Sequence, residues 1–203
     1  MNLYEFDSQY YLDSALLAGI DEAGRGALAG PVVAAAVILD RKHHFKGLND
    51  SKKLSAKIRE RLFDEIRTSA IAYAIAEVSA SVIDEINILN ATKRAMQEAV
   101  SGLSKTPELC LIDGNQALPL LSIPQRCIVS GDSLSACIAA ASILAKVFRD
   151  RLMQDFDAVY GGYHFATNKG YGTAQHLEAL ELLGLCPIHR QSYQPVLQRT
   201  IWT

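Results

Sequence analysis

The chain has 203 residues, 49% of them hydrophobic and 21% charged, with a net charge of -2, which is the make-up of a globular protein with one large core rather than a disordered or fibrous chain. Its longest run without a charged or strongly polar residue, residues 27–39, is 13 residues long and contains Gly30 and Pro31, so it is too short and too broken to cross a bilayer. The opening MNLYEFDSQYYLD has acids where a signal peptide needs basic residues, and Cys110, Cys127, Cys137 and Cys186 form no CxxC pair, so the expectation is a cytoplasmic protein with reduced core cysteines.

Residues 1–14 read as a loosely structured lead-in with Tyr4, Phe6, Tyr10 and Tyr11 available to pack. The organising stretch follows, LLAGIDEAGRGALAGPVVAAAVIL over residues 16–39. Two apolar runs of strand length flank an insert with adjacent acids, Asp21 and Glu22, and then Gly24, Arg25 and Gly26. Gly30-Pro31 marks a turn that no helix interior would carry. Two carboxylates at a strand tip beside exposed backbone amides are what a hard-metal site acting on phosphate needs.

A polar loop leads to a helix predicted from about Ser55 to Ser69, with Ile58, Leu62, Phe63 and Ile66 on one face. Between Arg41 and Arg61 stand eight basic residues against two acids, about +6 in a chain of net -2, which leaves about -8 elsewhere. Such a stripe suits a polyanion held over metal ions, and equally a solvated helix face. A third strand is expected over Ile71–Val78, a helix starting at Ser81, and a second amphipathic helix over Asn90–Leu103 with Ala95, Met96, Ala99 and Val100 inward. Short strands at Leu109–Ile112 and near Cys127–Val129 end in the turns Asp113-Gly114-Asn115 and Ser130-Gly131-Asp132. The longest helix runs from about Ser133 to Tyr160, with Ile138, Ala141, Ala145, Phe148 and Leu152 inward, and Thr173 caps a last helix that Gly184 closes. The tail from Leu185 has no period and is expected to wrap the surface.

Strands followed by alternating helices and strands give an α/β plan with a mixed sheet. Asp21, Glu22, Asp113 and Asp132 each follow the last apolar residue of a predicted strand, so neighbouring strands would gather four carboxylates at one sheet end. A solvent-facing turn acid is the commoner reason for any one of them. Gly24-x-Gly26-x-x-Ala29 fits a dinucleotide fingerprint on paper, but that motif must open a helix, and a turn and a strand follow here. His164, His176 and His189, with Cys186, match no common zinc spacing, so surface or hydrogen-bonded histidines are expected. No GxSxG elbow is present. Ser142, Lys146 and Arg149 share one helix face, placed either to meet phosphates or to face water.

Taken in order, GIDEAGRGALAGPVV, LNDSKKLS, INILNATKRAM, LIDGN, GDS, AAASILAKVFRD, NKGYGTAQHL and PIHRQSYQPV resemble the bacterial type 2 ribonuclease H family, ribonuclease HII. The blocks cover most of residues 18–197. The resemblance implies one ribonuclease H-like domain over residues 1–203, with a mixed five-stranded sheet flanked by helices (about 15–160) and a small C-terminal helical extension (about 161–203). The sister type 3 enzymes carry an extra N-terminal domain, and with the DEAGRG strand so near residue 1 the type 2 family is the expectation.

It also implies an active site of four acids, Asp21, Glu22, Asp113 and Asp132, the same four that the strand ends select. These would hold two Mg²⁺ or Mn²⁺ ions roughly 3.5–4 Å apart, with Asp21 bridging, since hard divalent ions prefer carboxylate oxygens to His or Cys. Gly24, Arg25 and Gly26 would present backbone to a ribose 2′-OH, the group that separates RNA from DNA. Tyr171 would pack on the neighbouring deoxyribose. Ser51, Lys52, Lys53, Ser142, Lys146 and Arg149 are the candidate phosphate contacts.

The implied substrates are RNA/DNA hybrids and duplex DNA with single embedded ribonucleotides. Cutting would fall 5′ of the ribonucleotide to give 3′-hydroxyl and 5′-phosphate ends, as in ribonucleotide excision repair by a monomer. The chain departs from the family pattern at Ser130, where a lysine is usual, at Leu134, where a basic residue is usual, and at Asn168, where a histidine is common. None of these removes an acid. The competing expectation is a hybrid-binding protein without catalysis, which would not need all four acids.

Overall fold

The computed structural model describes residues 2–11, 16–194 and 196. β1 (Leu17–Ala23) and β2 (Val32–Ile38) form the hairpin expected around the glycine insert, and β3 (Ala72–Val78) continues the antiparallel run. β4 (Leu109–Asp113) then pairs parallel with β1, and β5 (Gln125–Ile128) parallel with β4. The result is the expected mixed five-stranded sheet, with its strands in the order β3-β2-β1-β4-β5. β1 and β2 are buried on both faces, hence their nearly unbroken apolar sequence.

Strand parity sorts the core into two layers. Leu17, Val33, Ala35, Val37 and Leu111 pack under α2 (Ala56–Ser69) and α4 (Ala136–Val159). Ala18, Ile20, Ala34, Ala36 and Ile112 pack under α3 (Ala80–Ser101). α4 crosses β1 at very short range: a Cβ placed on Gly19 would lie 2.1 Å from the Cys137 carbonyl carbon. Its alanine-rich first half, fully buried from Ala136 to Ala141, is what permits that approach. A third cluster joins Leu28, Ala29 and Met153 to α5 (Phe165–Asn168) and α6 (Ala174–Leu183).

Several sequence expectations shift. The lead-in is not loose: Leu3–Ser8 is a short helix, α1, closed by a capping box between Asn2 and Glu5. Its Asp7 is buried, and the Cys137 amide at the start of α4 donates to Asp7 Oδ2 at 2.9 Å, a carboxylate on a helix N-terminus. α3 starts from Ser79 rather than Ser81, because the Ser79 hydroxyl accepts the Val82 amide. The two helices expected there are present within α3, separated at the non-helical Asn87 (φ 65°, ψ 163°), whose Oδ1 caps the second through the Asn90 amide.

α4 begins at Ala136 on the Ser135 cap, and residues 131–133 form a 3-10 turn instead. Its buried surface also takes in Val147, Arg149 and Met153, while Phe148 and Leu152 are only half-buried. The helix is covered by the sheet on one side and the C-terminal helices on another. The tail does more than wrap the surface. His189 bridges to Ala29, the Gly30 amide donates to the Ile188 carbonyl, and the Arg190 amide donates to the Leu28 carbonyl. Residues 195 and 197–203 of that tail lie outside the described residues.

Candidate active site

The acids meet because of register. Ile20 of β1 lies beside Ile112 of β4, so Asp21, inside β1, and Asp113, which ends β4, follow that pair on adjacent parallel strands. Asp113 in turn lies beside Ile128 of β5, and the 3-10 turn that follows brings Asp132 back. The Gly131 amide fixes this corner, donating to Asp113 Oδ1 at 2.7 Å. By strand parity Asp21 faces the α4 layer and Glu22 the α3 layer, and the Glu22 amide donates to Asp21 Oδ1 at 2.7 Å.

Asp21, Glu22 and Asp113 line one cleft of about 420 Å³ together with Gly24, Arg25, Gly26, Lys52, Lys146 and Tyr171. Asp132 stands at its edge, tied to the cleft by Lys52, whose Nζ lies 3.1 Å from Asp132 Oδ2. Among the described residues, no three His, Cys, Asp or Glu side chains close round a single point. The acids are gathered along a cleft rather than folded into a cage.

Their charge is poorly compensated. Burial raises the Asp21 carboxyl well above its usual range, and the charges of Glu22 and Asp113 push the same way. Glu22 is raised by burial, against the pull of Arg25 at 3.4 Å and with the push of Asp113. Asp113 is raised by burial, eased by the Gly131 amide and worsened by Asp132. Burial alone would lower Lys52, but the hydrogen bond and charge of Asp132, with Asp21 and Asp50 beyond, raise it. Desolvated like charges at this density favour a site that takes up cations.

The other sequence candidates divide. Lys146 lines the cleft and pairs with Asp150 at 2.7 Å, and its Nζ lies 6.0 Å from the centre of the half-exposed Tyr171 ring. Lys53 is exposed outside the cleft lining, with Nζ 3.1 Å from Ser133 Oγ. Ser51 and Ser142 line the cleft but are buried, with hydroxyl oxygens 2.8 Å apart. The Ser142 hydroxyl also bonds Asp21. The pair therefore sets the Asp21 carboxylate rather than reaching outward.

Arg149 is a correction. It is fully buried, and Nε, Nη1 and Nη2 donate to the carbonyls of Pro31, Lys169 and Ala29 at 2.9, 2.9 and 3.0 Å. Burial pulls it down to about 10, still cationic at neutral pH. Its side chain also occupies the space a Cβ on Gly24 would take, 2.0 Å from Nε, and Gly24 holds a φ of 93°. Only glycine satisfies both conditions there.

Sequence reasoning missed Arg190. Fully buried, it donates to the carbonyls of Gly24, Arg25 and Gly30 at 2.7, 2.8 and 3.0 Å. Tyr193 joins it through its own hydroxyl, donating to the Arg25 carbonyl at 2.7 Å. Its place inside the PIHRQSYQPV block was the available signal. Asn168 is also structural: its side chain donates to the Tyr163 carbonyl and accepts the Gly170 amide at 2.8 Å. His176 and His189 hydrogen-bond each other at 3.0 Å, and the Cys186 amide donates to His189 Nδ1 at 2.9 Å. This is the hydrogen-bonded arrangement expected in place of a zinc cluster.

A family model described as Ribonuclease HII matches residues 18–196. A ribonuclease HII of Desulfitobacterium hafniense (strain Y51) is 56% identical over 194 residues, covering 95% of this chain and 74% of that protein. Ribonuclease HII 1 of Methylibium petroleiphilum is 59% identical over 181 residues, covering 89% of this chain and 91% of its relative. Among solved structures, ribonuclease H2 from Pyrococcus horikoshii OT3 is similar with a TM-score of 0.79 at 26% identity, over 92% of this chain and 97% of that one.

Proposed function

The chain belongs to the ribonuclease HII family, endonucleases that hydrolyse RNA in RNA/DNA duplexes, and on that premise we propose a metal-dependent enzyme that also cuts 5′ of single ribonucleotides embedded in duplex DNA. The observation that carries this reading is the convergence of Asp21, Glu22 and Asp113 with Gly24–Gly26, Lys52 and Tyr171 on one cleft. The donor set fits two Mg²⁺ or Mn²⁺ ions in kind, being carboxylate throughout, and in charge, since three of the acids are raised by burial and mutual repulsion. Asp21, Glu22, Asp113 and Asp132 would hold them. Such ions, when bound, activate water and neutralise charge on the leaving oxygen.

The chain's own residues do the rest. Ser142, backed by Ser51, orients Asp21. The Gly131 amide orients Asp113. Arg190, Tyr193 and Arg149 hold the carbonyls of Gly24, Arg25 and Ala29–Pro31 from behind, so the Gly24–Gly26 backbone meets a ribose already set, at little cost in ordering. Arg149 and Lys146 beside the Tyr171 ring support it as a platform for the adjoining sugar. Lys52 offers an exposed ammonium to phosphate while restraining Asp132.

The test is cleavage of a labelled DNA duplex with one ribonucleotide under Mg²⁺, Mn²⁺ or EDTA. A single cut 5′ of the ribonucleotide is expected, lost with EDTA and reduced by about a thousandfold or more in a folded Asp21→Asn variant. Clean cutting of a long hybrid alone would overturn the ribonucleotide assignment of Gly24–Gly26 and Tyr171. Folded, metal-supplied protein that binds both substrates and cuts neither would favour the hybrid-binding alternative.

A further inference from the structure

We propose that the recess between α3 and the catalytic acids is a second substrate subsite, in which Lys93 and Thr92 take a backbone phosphate of the duplex. This deepens the ribonuclease reading and rests on it. Since Asp21 and Glu22 face opposite layers, the site has two lobes. The Asp21 lobe holds the cleft already described. The Glu22 lobe is a recess of about 60 Å³ with Leu89, Met96 and Leu118 on its apolar side. α3 and the loop after β4 give it donors, in Lys93, Asn115 and Gln116, while β1 and the end of β4 give it the acids Glu22 and Asp113.

Two independent observations point to a ligand for this lobe. Lys93 has no ion pair or hydrogen bond with any described residue, whereas its neighbour Arg94 pairs with Glu98 at 2.8 Å, and Lys52 and Lys146 pair with Asp132 and Asp150. An ammonium left unpaired next to catalytic carboxylates is placed for a different anion. Thr92 is 4% exposed and lines the recess, yet its Oγ1 has no hydrogen-bond partner among the described residues. A helical threonine ordinarily bonds a carbonyl one turn back, and a buried hydroxyl without a partner is costly and rare.

The segment is held deliberately. Asn87 takes a conformation that non-glycine residues seldom adopt and caps the half-helix bearing Thr92 and Lys93, and strain of this kind gathers at binding sites. An ammonium, a hydroxyl and two amides in a space of this size match a phosphodiester oxygen pair, not a base, and Leu89, 37% exposed, offers the rim to a sugar.

The experiment pairs Lys93→Ala with single neutral methylphosphonates placed along both strands of a ribonucleotide-containing duplex. Lys93→Ala is expected to raise KM on the order of fivefold, to leave kcat within about twofold, and to lower the slope of log affinity against log salt by about one. Lys93→Arg should restore most of it. One methylphosphonate, in the ribonucleotide strand or in its complement, should weaken wild-type binding and have no further effect on Lys93→Ala, which identifies the phosphate and its strand. Thr92→Val, close in shape and free of the orphan hydroxyl, should fold at least as stably as wild type and bind more weakly. Wild-type KM and salt slope in Lys93→Ala, or methylphosphonate effects that add to the mutation at every position, would overturn the subsite while wild-type cleavage leaves the ribonuclease reading standing. Failure of the wild type to cut would instead strike that reading.

Discussion

Two sets of basic side chains surround the acids, and they are used in opposite ways. Arg149 and Arg190 are fully buried and donate to six backbone carbonyls between them, all but one in the Gly24–Pro31 segment. Lys52 and Lys53 are exposed on the loop before α2, and each touches a single acid, Asp132 or Asp50. A guanidinium has five fixed donors and stays charged even where burial pulls it down, so it can brace several carbonyls from within. An ammonium on a flexible stem suits a partner whose position varies. Under the proposed reading, the segment that would recognise a ribose is therefore braced from behind, and the groups that would meet phosphates stand exposed with one partner each.

Removing the rigid set should have the largest effect. Arg190→Met keeps an apolar stem but strips three carbonyls of their donor, and is expected to cost about 3–5 kcal/mol in urea unfolding, at about 1–3 kcal/mol per buried group left unpaired. Any folded fraction should lose more activity on an embedded ribonucleotide than on binding to duplex. A loss under about 1 kcal/mol would mean that the Gly24–Pro31 segment holds itself, and the contrast with the lysines would fail.

A middle-sized effect should come from the histidine beside that arginine. Burial lowers His189 from 6.5 to about 4, with His176 acting the same way and the Cys186 backbone opposing them. His176 of α6, Cys186 and the Tyr163 ring face it. The unfolded chain takes up this proton first, so the contribution is complete above about pH 6.5 and is lost as pH falls towards 4. Between pH 7 and pH 5 the loss should be about 2 kcal/mol, seen in wild type and absent from His189→Gln. An equal slope in both proteins would place the acid sensitivity elsewhere.

The smallest effect on stability belongs to the exposed set. Lys52→Ala should change unfolding by less than about 1 kcal/mol, as expected for a largely exposed ion pair. Its signature should be in binding instead, with affinity falling most at low salt and a salt slope smaller by about one. A stability loss comparable to that of Arg190→Met would show Lys52 to be a brace as well.

The sequence by itself determined the mixed sheet and the side of it on which the acids gather. Alternating and continuous apolar runs, the Gly30-Pro31 turn, and acids after those runs are local signals, and Asp21, Glu22 and Asp113 do share one cleft, although Asp21 and Glu22 lie inside β1 rather than after it. Helix starts set by single hydroxyls at Ser55 and Thr173 were nearly as legible, whereas α4 starts from Ser135 and not from Ser133. What the tertiary structure decided was direction. Ser142 and Arg149 share a face with Lys146 along α4, but that helix is covered on two sides, so two of the three turn inward. Arg190 lies 160 residues from the Gly30 carbonyl it holds, beyond any spacing rule. A side chain's role depends on which surface closes over it, and in this protein that surface comes from segments the chain reaches only much later.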